Sequence, residues 1–373
     1  MVKVVAPGKL MLSGEWSVLE LGNPCIVIAL NKNVEVEAKE AKGIEISSPG
    51  FGIKNVKAKF LDGKLLYESR VSGEQEKFLV FVKNSIETAL KYLQEKGKKP
   101  KGFNLSTKSD ETVAKTKQGR QKIGFGSSAA VTVATIAAVI KLHGNGIESK
   151  KEKESIFKLA CIAHFLGQGK VGSSFDVAAS TFGGLLKYTK FDAKWLEKEL
   201  AGKSIAETVE EEWPSLSFET MPVPKNFCFV VGFSGKSAST KELVEKMKAF
   251  KENDKESYQK IMNSIKGVTE QMANAIKKND SQKVMQLVHE NRKLLKELAQ
   301  NSGNDLETKE LTEIIETANN AGGAAKFSGA GGGDCAIAVC FDRKIQKKIM
   351  QALKEKNITL IKAEISLEGV KKI

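Results

Sequence analysis

The run Lys122-Ile123-Gly124-Phe125-Gly126-Ser127-Ser128-Ala129-Ala130 constrains this chain most, because it opens an apolar stretch that continues to Leu142. Ala, Val and Ile fill nearly every side of a helix drawn over 127–142. A helix without a polar face must be central, so other layers have to enclose it. Its first turn then carries unpaired N–H groups and the positive end of the helix dipole. Gly124 and Gly126 let a backbone come close to a ligand. Phosphate suits such an end. Ser127 and Ser128 can cap the helix, donate to phosphate or ligate Mg²⁺. Lys115, Lys117 and Lys122 just upstream favour the anion.

Other glycine patterns narrow the choice. A P-loop requires G-x-x-x-x-G-K-[ST]. Gly235-Lys236-Ser237 has the tail, but Val230 stands where the first glycine belongs. Gly169-Lys170 fails as well, with His164 and Val171 at the required positions. Gly124-Phe125-Gly126 has Ala129 in place of the third glycine of a dinucleotide fingerprint, and no strand–helix–strand unit frames it. Three further clusters stand out. Ser328-Gly329-Ala330-Gly331-Gly332-Gly333-Asp334 reads as a tight hairpin or as backbone passing close to a ligand. Gly167-Gln168-Gly169-Lys170-Val171-Gly172-Ser173-Ser174-Phe175-Asp176 sets Asp176 at a helix start, as a first-turn charge or as a carboxylate facing a phosphate and its metal. Ala6-Pro7-Gly8-Lys9-Leu10, with Ser13-Gly14-Glu15, places a lysine, a hydroxyl and a carboxylate after an edge strand.

Periodicity supplies the rest of the frame. Short strands are expected through residues 1–70, and helices over 76–96, 151–166 and 176–186. Residues 110–122 are polar and unpatterned, as in a mobile loop. A junction is expected within the charged stretch 193–220, dividing the chain at 1–205 and 206–373. The second half opens on a strand at 227–231. Helices at 241–250, 254–277, 281–299 and 305–320 follow, then a hairpin at 324–341 and a final helix and strand. Strands and helices mix without a βαβ period, which indicates α+β.

The 59 Lys and Arg exceed 45 Asp and Glu, for a net charge of +14. Only four of the cations are arginine, and the lysines lie among glutamates as on solvated helix faces. This is not the footprint of a DNA reader, and no nucleic-acid partner is expected. Five cysteines with apolar neighbours and no CxxC pair suggest free thiols in a reducing compartment. Pro7, Gly8 and Lys9 interrupt the N-terminal apolar run, so no signal peptide is expected. With no apolar stretch near 18 residues, neither is a membrane span. A cytoplasmic monomer or homodimer is the expectation.

The ordered set of Pro7-Gly8-Lys9, Gly124-Phe125-Gly126-Ser127-Ser128-Ala129-Ala130 and Gly329-Ala330-Gly331-Gly332-Gly333-Asp334 resembles the three motifs of the GHMP kinases across nearly the whole chain. Gln168-Gly169-Lys170-Val171-Gly172-Ser173-Ser174-Phe175-Asp176-Val177-Ala178-Ala179 is most similar to the phosphomevalonate kinase branch. The mevalonate kinase pattern Gly-Glu-His reads Gly14-Glu15-Trp16 here, and Ser174 stands where glycine is usual. The resemblance implies a two-domain α+β fold, with a ribosomal-protein-S5-like N-terminal domain and a ferredoxin-like C-terminal one. It implies ATP and Mg²⁺ as cofactors, phosphomevalonate as the small-molecule partner, and mevalonate kinase or another small-molecule kinase as the alternative. A catalytically dead ligand sensor is the non-enzymatic alternative, disfavoured because Lys9, Ser127, Ser128 and Asp176 are all present.

By the same resemblance, Lys9, Asp176 and Lys122 are the catalytic candidates. Gly124, Phe125, Gly126, Ser127, Ser128 and Ala129 would hold the nucleotide phosphates, and Ser127 or Ser128 would ligate the metal. Ser13, Glu15, Lys170, Ser173, Ser237, Ser239 and Gly331 are the substrate-binding candidates.

Overall fold

The apolar run Cys25–Leu30 has no polar alternate positions, and a strand of that kind must be covered on both faces. The structure, a computed structural model, shows both covers. It describes residues 1–109, 113–116, 119–169, 172–236 and 240–373, without the side chains of 113–116, 119–122 and 240–241. Cys25, Val27 and Ala29 face the helices of the N-terminal layer. Ile26, Ile28 and Leu30 face the C-terminal layer.

The N-terminal half runs β1 (Val2–Ser13), β2 (Pro24–Ala41), β3 (Ile44–Ser48), β4 (Ile53–Leu61), β5 (Lys64–Tyr67), α1 (Gly73–Glu95), β6 (Gly102–Lys108), β7 (Val113–Thr116), β8 (Gly119–Lys122), α2 (Ser127–Leu142), α3 (Lys150–Gly167), α4 (Phe175–Phe182), β9 (Leu185–Thr189), α5 (Ala193–Gly202), α6 (Ile205–Glu210) and β10 (Ser217–Met221). The long β2 is the hub of its sheet. It pairs with β1 along most of its length, with β9 at one end and with β6 at the other. Helix α2 lies beneath β1 and β2, enclosed by α1, α3 and α4. Its all-round apolarity is thereby satisfied.

The C-terminal half runs β11 (Cys228–Phe233), α7 (Thr240–Asn253), α8 (Lys255–Lys277), α9 (Ser281–Ser302), α10 (Lys309–Asn320), β12 (Ala324–Phe327), β13 (Cys335–Cys340), α11 (Arg343–Glu355), β14 (Thr359–Ile361) and β15 (Lys371–Lys372). Its antiparallel sheet has the order β12-β13-β11-β14. Val268, Met272 and Ile276 of α8 and Leu287 of α9 join Leu10, Leu12, Ile26 and Ile28 in one apolar seam, which holds the two halves together.

Three local expectations change. The helix expected to 186 ends at Phe182, because Gly183 and Gly184 take positive φ and turn the chain into β9. Residues 113–116 and 119–122 pair as an antiparallel ribbon where a loop is expected. The charged stretch 193–220 forms α5, α6 and β10, and β10 extends the N-terminal sheet beside β9. The chain also returns at its end. Ser366 exchanges backbone hydrogen bonds with Ala29 and Gly184, and β15 pairs with β1. The N-terminal sheet therefore takes strands from beyond residue 205. No helix among the described residues is long and apolar enough to cross a membrane.

Candidate active site

Most helices here begin on a side-chain cap: Ser72, Ser149, Asp192, Ser204, Asp254, Asp280, Thr308 and Asp342 each accept from a first-turn N–H. Helices α2 and α4 do not. Their N-cap residues, Gly126 and Ser174, sit in the left-handed region at φ 73° and 59°, and neither helix has a side-chain cap. In α4 the Val177 N–H donates to Asp176 Oδ1 at 3.0 Å. The other first-turn N–H groups have no hydrogen bond among the described residues, and both helix starts line one cleft of about 380 Å³. Unpaired donors and two positive dipole ends converge there, the arrangement that binds phosphate.

The cleft is lined by Lys9, Ile123, Gly124, Gly126, Ser127, Ser128, Phe175 and Asp176, and from the C-terminal half by Ser328–Gly331, Gly333 and Asp334. Lys9 is tied twice to the glycine loop. Its backbone N–H donates to Phe125 O at 2.9 Å, and its ammonium donates to Gly124 O at 2.8 Å. Helix α4 is pinned to the same strand, since Ser180 Oγ donates to Pro7 O at 2.7 Å. Tyr188 holds the turn before α4 through a 2.7 Å hydrogen bond to Ser173 O. Lys9, Gly126 and Asp176 are close packed. A Cβ on Gly126 would lie 3.2 Å from Lys9 Cε and 3.3 Å from Asp176 Cβ, on a backbone already at φ 73°.

Gly126→Ala is therefore expected to lower kcat/KM about 100-fold, by displacing both groups together. The left-handed backbone adds a stability cost of about 1–2 kcal/mol. Steady-state kinetics beside a denaturant titration separates the two, and an active Ala variant would remove Gly126 from the site's geometry.

The other expected residues fall in several places. Phe125 and Ala129 are buried, and contribute backbone rather than side chains. Gly331 lines the cleft at φ 81°, where a Cβ would lie 2.5 Å from Leu306 O. Ser173 is buried in the turn before α4. Ser13 and Glu15 do not reach the cleft. Ser13 Oγ bonds Thr269 Oγ1 at 2.7 Å, and Glu15 forms a fully buried ion pair with Lys326. Lys170, Ser237 and Ser239, and the side chain of Lys122, lie outside the described residues.

Domain-family profiles match this architecture in order: the GHMP kinases N terminal domain over residues 84–184 and the GHMP kinases C terminal domain over 272–359. A phosphomevalonate kinase of a Streptomyces species is 32% identical over 341 residues, covering 90% of this chain and 88% of that protein. The chain belongs to the GHMP kinase family. A mevalonate kinase of Thermococcus gammatolerans is 30% identical over 374 residues, covering 98% of this chain and 96% of its own. The fold of this GHMP kinase also superposes on Streptococcus pneumoniae phosphomevalonate kinase in complex with phosphomevalonate and AMPPNP, with TM-score 0.82, 24% identity and coverage of 98% and 100%.

Three features of this kinase's cleft escape sequence reasoning. Asp334, at φ 59°, accepts from Gly124 N–H at 3.2 Å and so brings a second carboxylate to the phosphate loop. Its place directly after a glycine run is the one signal that marks it. A second hollow adjoins Ser127 and Ser128, walled by Phe51, Phe78, Phe81 and Val131, with Phe51 stacked on Phe78 at 4.5 Å. Nothing local links residues 51 and 78 to 128. The third is His164, whose Nε2 lies 3.2 Å from Ser128 Oγ.

Among the described residues no three His, Cys, Asp or Glu side chains cluster as a metal cage. The cleft instead offers the carboxylates of Asp176 and Asp334 and the hydroxyls of Ser127 and Ser128. This donor set fits Mg²⁺, which keeps several waters and binds through one or two carboxylates plus substrate phosphates.

Proposed function

We propose that the chain transfers the terminal phosphoryl group of ATP to 5-phosphomevalonate, giving ADP and 5-diphosphomevalonate, the reaction of the mevalonate route to isoprenoids. The observation that carries this reading is the convergence of two uncapped helix starts with Lys9 and Asp176 on one cleft. The 32% identity to a phosphomevalonate kinase and the Gln168–Ala179 stretch support the choice of acceptor.

A phosphate acceptor alters what the protein must supply. With its second pKa near ~6, a phosphate monoester is already ionised at neutral pH, so base catalysis matters less than for an alcohol. The obstacle is repulsion between anions. One pair of unit charges at ~4 Å opposes approach by about 4 kcal/mol at an effective dielectric of 20, and each partner carries more than one charge. Lys9, with Lys122 and Lys170, would offset that repulsion. The N–H groups of 124–129 and the Ser127 and Ser128 hydroxyls would hold the nucleotide phosphates. Asp176, with Ser127, would bind Mg²⁺, and bound Mg²⁺ neutralises charge across the phosphates. The aromatic hollow beside Ser128 suits the nucleoside base. Ser173, Gly331, Ser237 and Ser239 would receive the acceptor, while Glu15 supports the 326–331 segment through Lys326 and Ser13 ties β1 to α8. Five buried, unpaired cysteines support a reducing, cytosolic setting.

Phosphorylation of mevalonate is the second reading, favoured by the 30% identity to a mevalonate kinase. ADP release with Mg-ATP and mevalonate, 5-phosphomevalonate, galactose or homoserine decides between them. Turnover with 5-phosphomevalonate alone is expected. Turnover with mevalonate instead would overturn the acceptor and make Asp176 the required base.

A further inference from the structure

His164 is a buried residue beside the cleft whose chemistry the reaction above leaves unused. It projects from α3, is 1% exposed, and stacks on Phe81 with ring centroids 5.1 Å apart. Nε2 lies 3.2 Å from Ser128 Oγ, while Nδ1 is buried without a hydrogen-bond partner. An imidazolium would bury a second N–H at Nδ1 with nothing to accept it, so the geometry favours the neutral ring. A neutral imidazole has a single N–H. Placed on Nδ1, that hydrogen would be a buried donor with nothing to accept it, at a cost of about 1–3 kcal/mol. Placed on Nε2, it donates to Ser128 Oγ, and only a lone pair is left bare.

The tautomer determines what Ser128 can do. Once Ser128 Oγ accepts from His164, its own hydrogen must find another acceptor. The residue sits in the first turn of α2 and lines the phosphate cleft. We propose that His164 is a positioning residue that turns the Ser128 hydroxyl into a directed donor to a nucleotide phosphate oxygen. The proposal rests on the nucleotide reading of this cleft, and it divides the serine pair: Ser128 serves phosphate and leaves Ser127 to the metal.

The test compares His164→Leu, His164→Gln and the pair His164→Leu/Ser128→Ala. A glutamine amide can place an N–H near the Nε2 position, and leucine cannot. Thermal unfolding is recorded for each variant, with AMPPNP affinity by calorimetry and the KM values for ATP and 5-phosphomevalonate. His164→Leu is expected to weaken AMPPNP binding and raise KM for ATP about tenfold, with KM for 5-phosphomevalonate unchanged. His164→Gln is expected to return nucleotide affinity to within about threefold of wild type. In the Ser128→Ala background, His164→Leu is expected to add less than about twofold, because the two residues act through one contact. Equal AMPPNP affinity of the folded Leu and Gln variants, or additive losses in the double variant, would overturn the inference. A wild type that binds AMPPNP but ignores 5-phosphomevalonate would sink the acceptor reading alone, since the calorimetric comparison needs no turnover. A wild type that does not bind nucleotide would overturn both.

Discussion

Lys9→Met is expected to lower kcat with 5-phosphomevalonate by about 10²–10³-fold, the loss seen when one preorganised charge-stabilising donor is removed. The substitution isolates the charge. The backbone tie from Lys9 N–H to Phe125 O survives it, and methionine's unbranched chain can occupy much of the same pocket beside Phe175. What goes is the ammonium held against Gly124 O at the mouth of two helix dipoles. Asp176→Asn is expected to cost less, because an ionised phosphate acceptor needs little help in losing a proton. Single-turnover rates for both variants at saturating ATP give the order. An Asp176→Asn loss far above that of Lys9→Met, undiminished at saturating Mg²⁺, would show that proton removal, and not charge neutralisation, limits the reaction.

The largest stability effect is expected at Lys326. Its side chain and that of Glu15 are both 0% exposed and form an ion pair between β12 and the end of β1. The ammonium also donates to Phe327 O at 2.6 Å, and Asn291 Nδ2 donates to Glu15 Oε2 at 3.3 Å. Burial pulls the Lys326 pKa down while Glu15 holds it up. Lys326→Met strands the Glu15 carboxylate in the seam, which is expected to cost about 3–5 kcal/mol in denaturant unfolding. Glu15→Gln/Lys326→Met removes both charges and is expected to recover more than half of that loss. A single variant within about 1 kcal/mol of wild type would mean that water reaches the pair. A double variant as unstable as the single one would assign the loss to packing under β12.

The same seam sets the geometry of the cleft. Ser328 Oγ accepts from Met11 N–H at 2.8 Å and donates to Met11 O at 2.9 Å. Trp16, at φ 60°, a conformation bulky residues avoid, donates from Nε1 to Ala330 O at 3.1 Å. These contacts, with the Glu15–Lys326 pair, join the end of β1 to the segment that carries the second glycine loop. Glu15 and Trp16 thus shape the site from beneath it.

What was legible in the sequence was what short-range chemistry dictates. The all-round apolar run placed α2 at 127–142 and made it central. The glycines before α2 and the residues of its first turn marked an open helix start. Both readings depend on residues within a turn or two of one another, whereas the resemblance to the GHMP kinases, and not local chemistry, put the three motifs in one site. Tertiary structure alone decided that Glu15 is buried against Lys326, that Asp334 lies on the Gly124 amide, that His164 meets Ser128, and that β15 closes on β1. Those pairings join segments 36 to more than 300 residues apart. Periodicity reports which face of an element is covered but not by what. A charged side chain therefore reads as solvent-exposed until packing brings its partner to it.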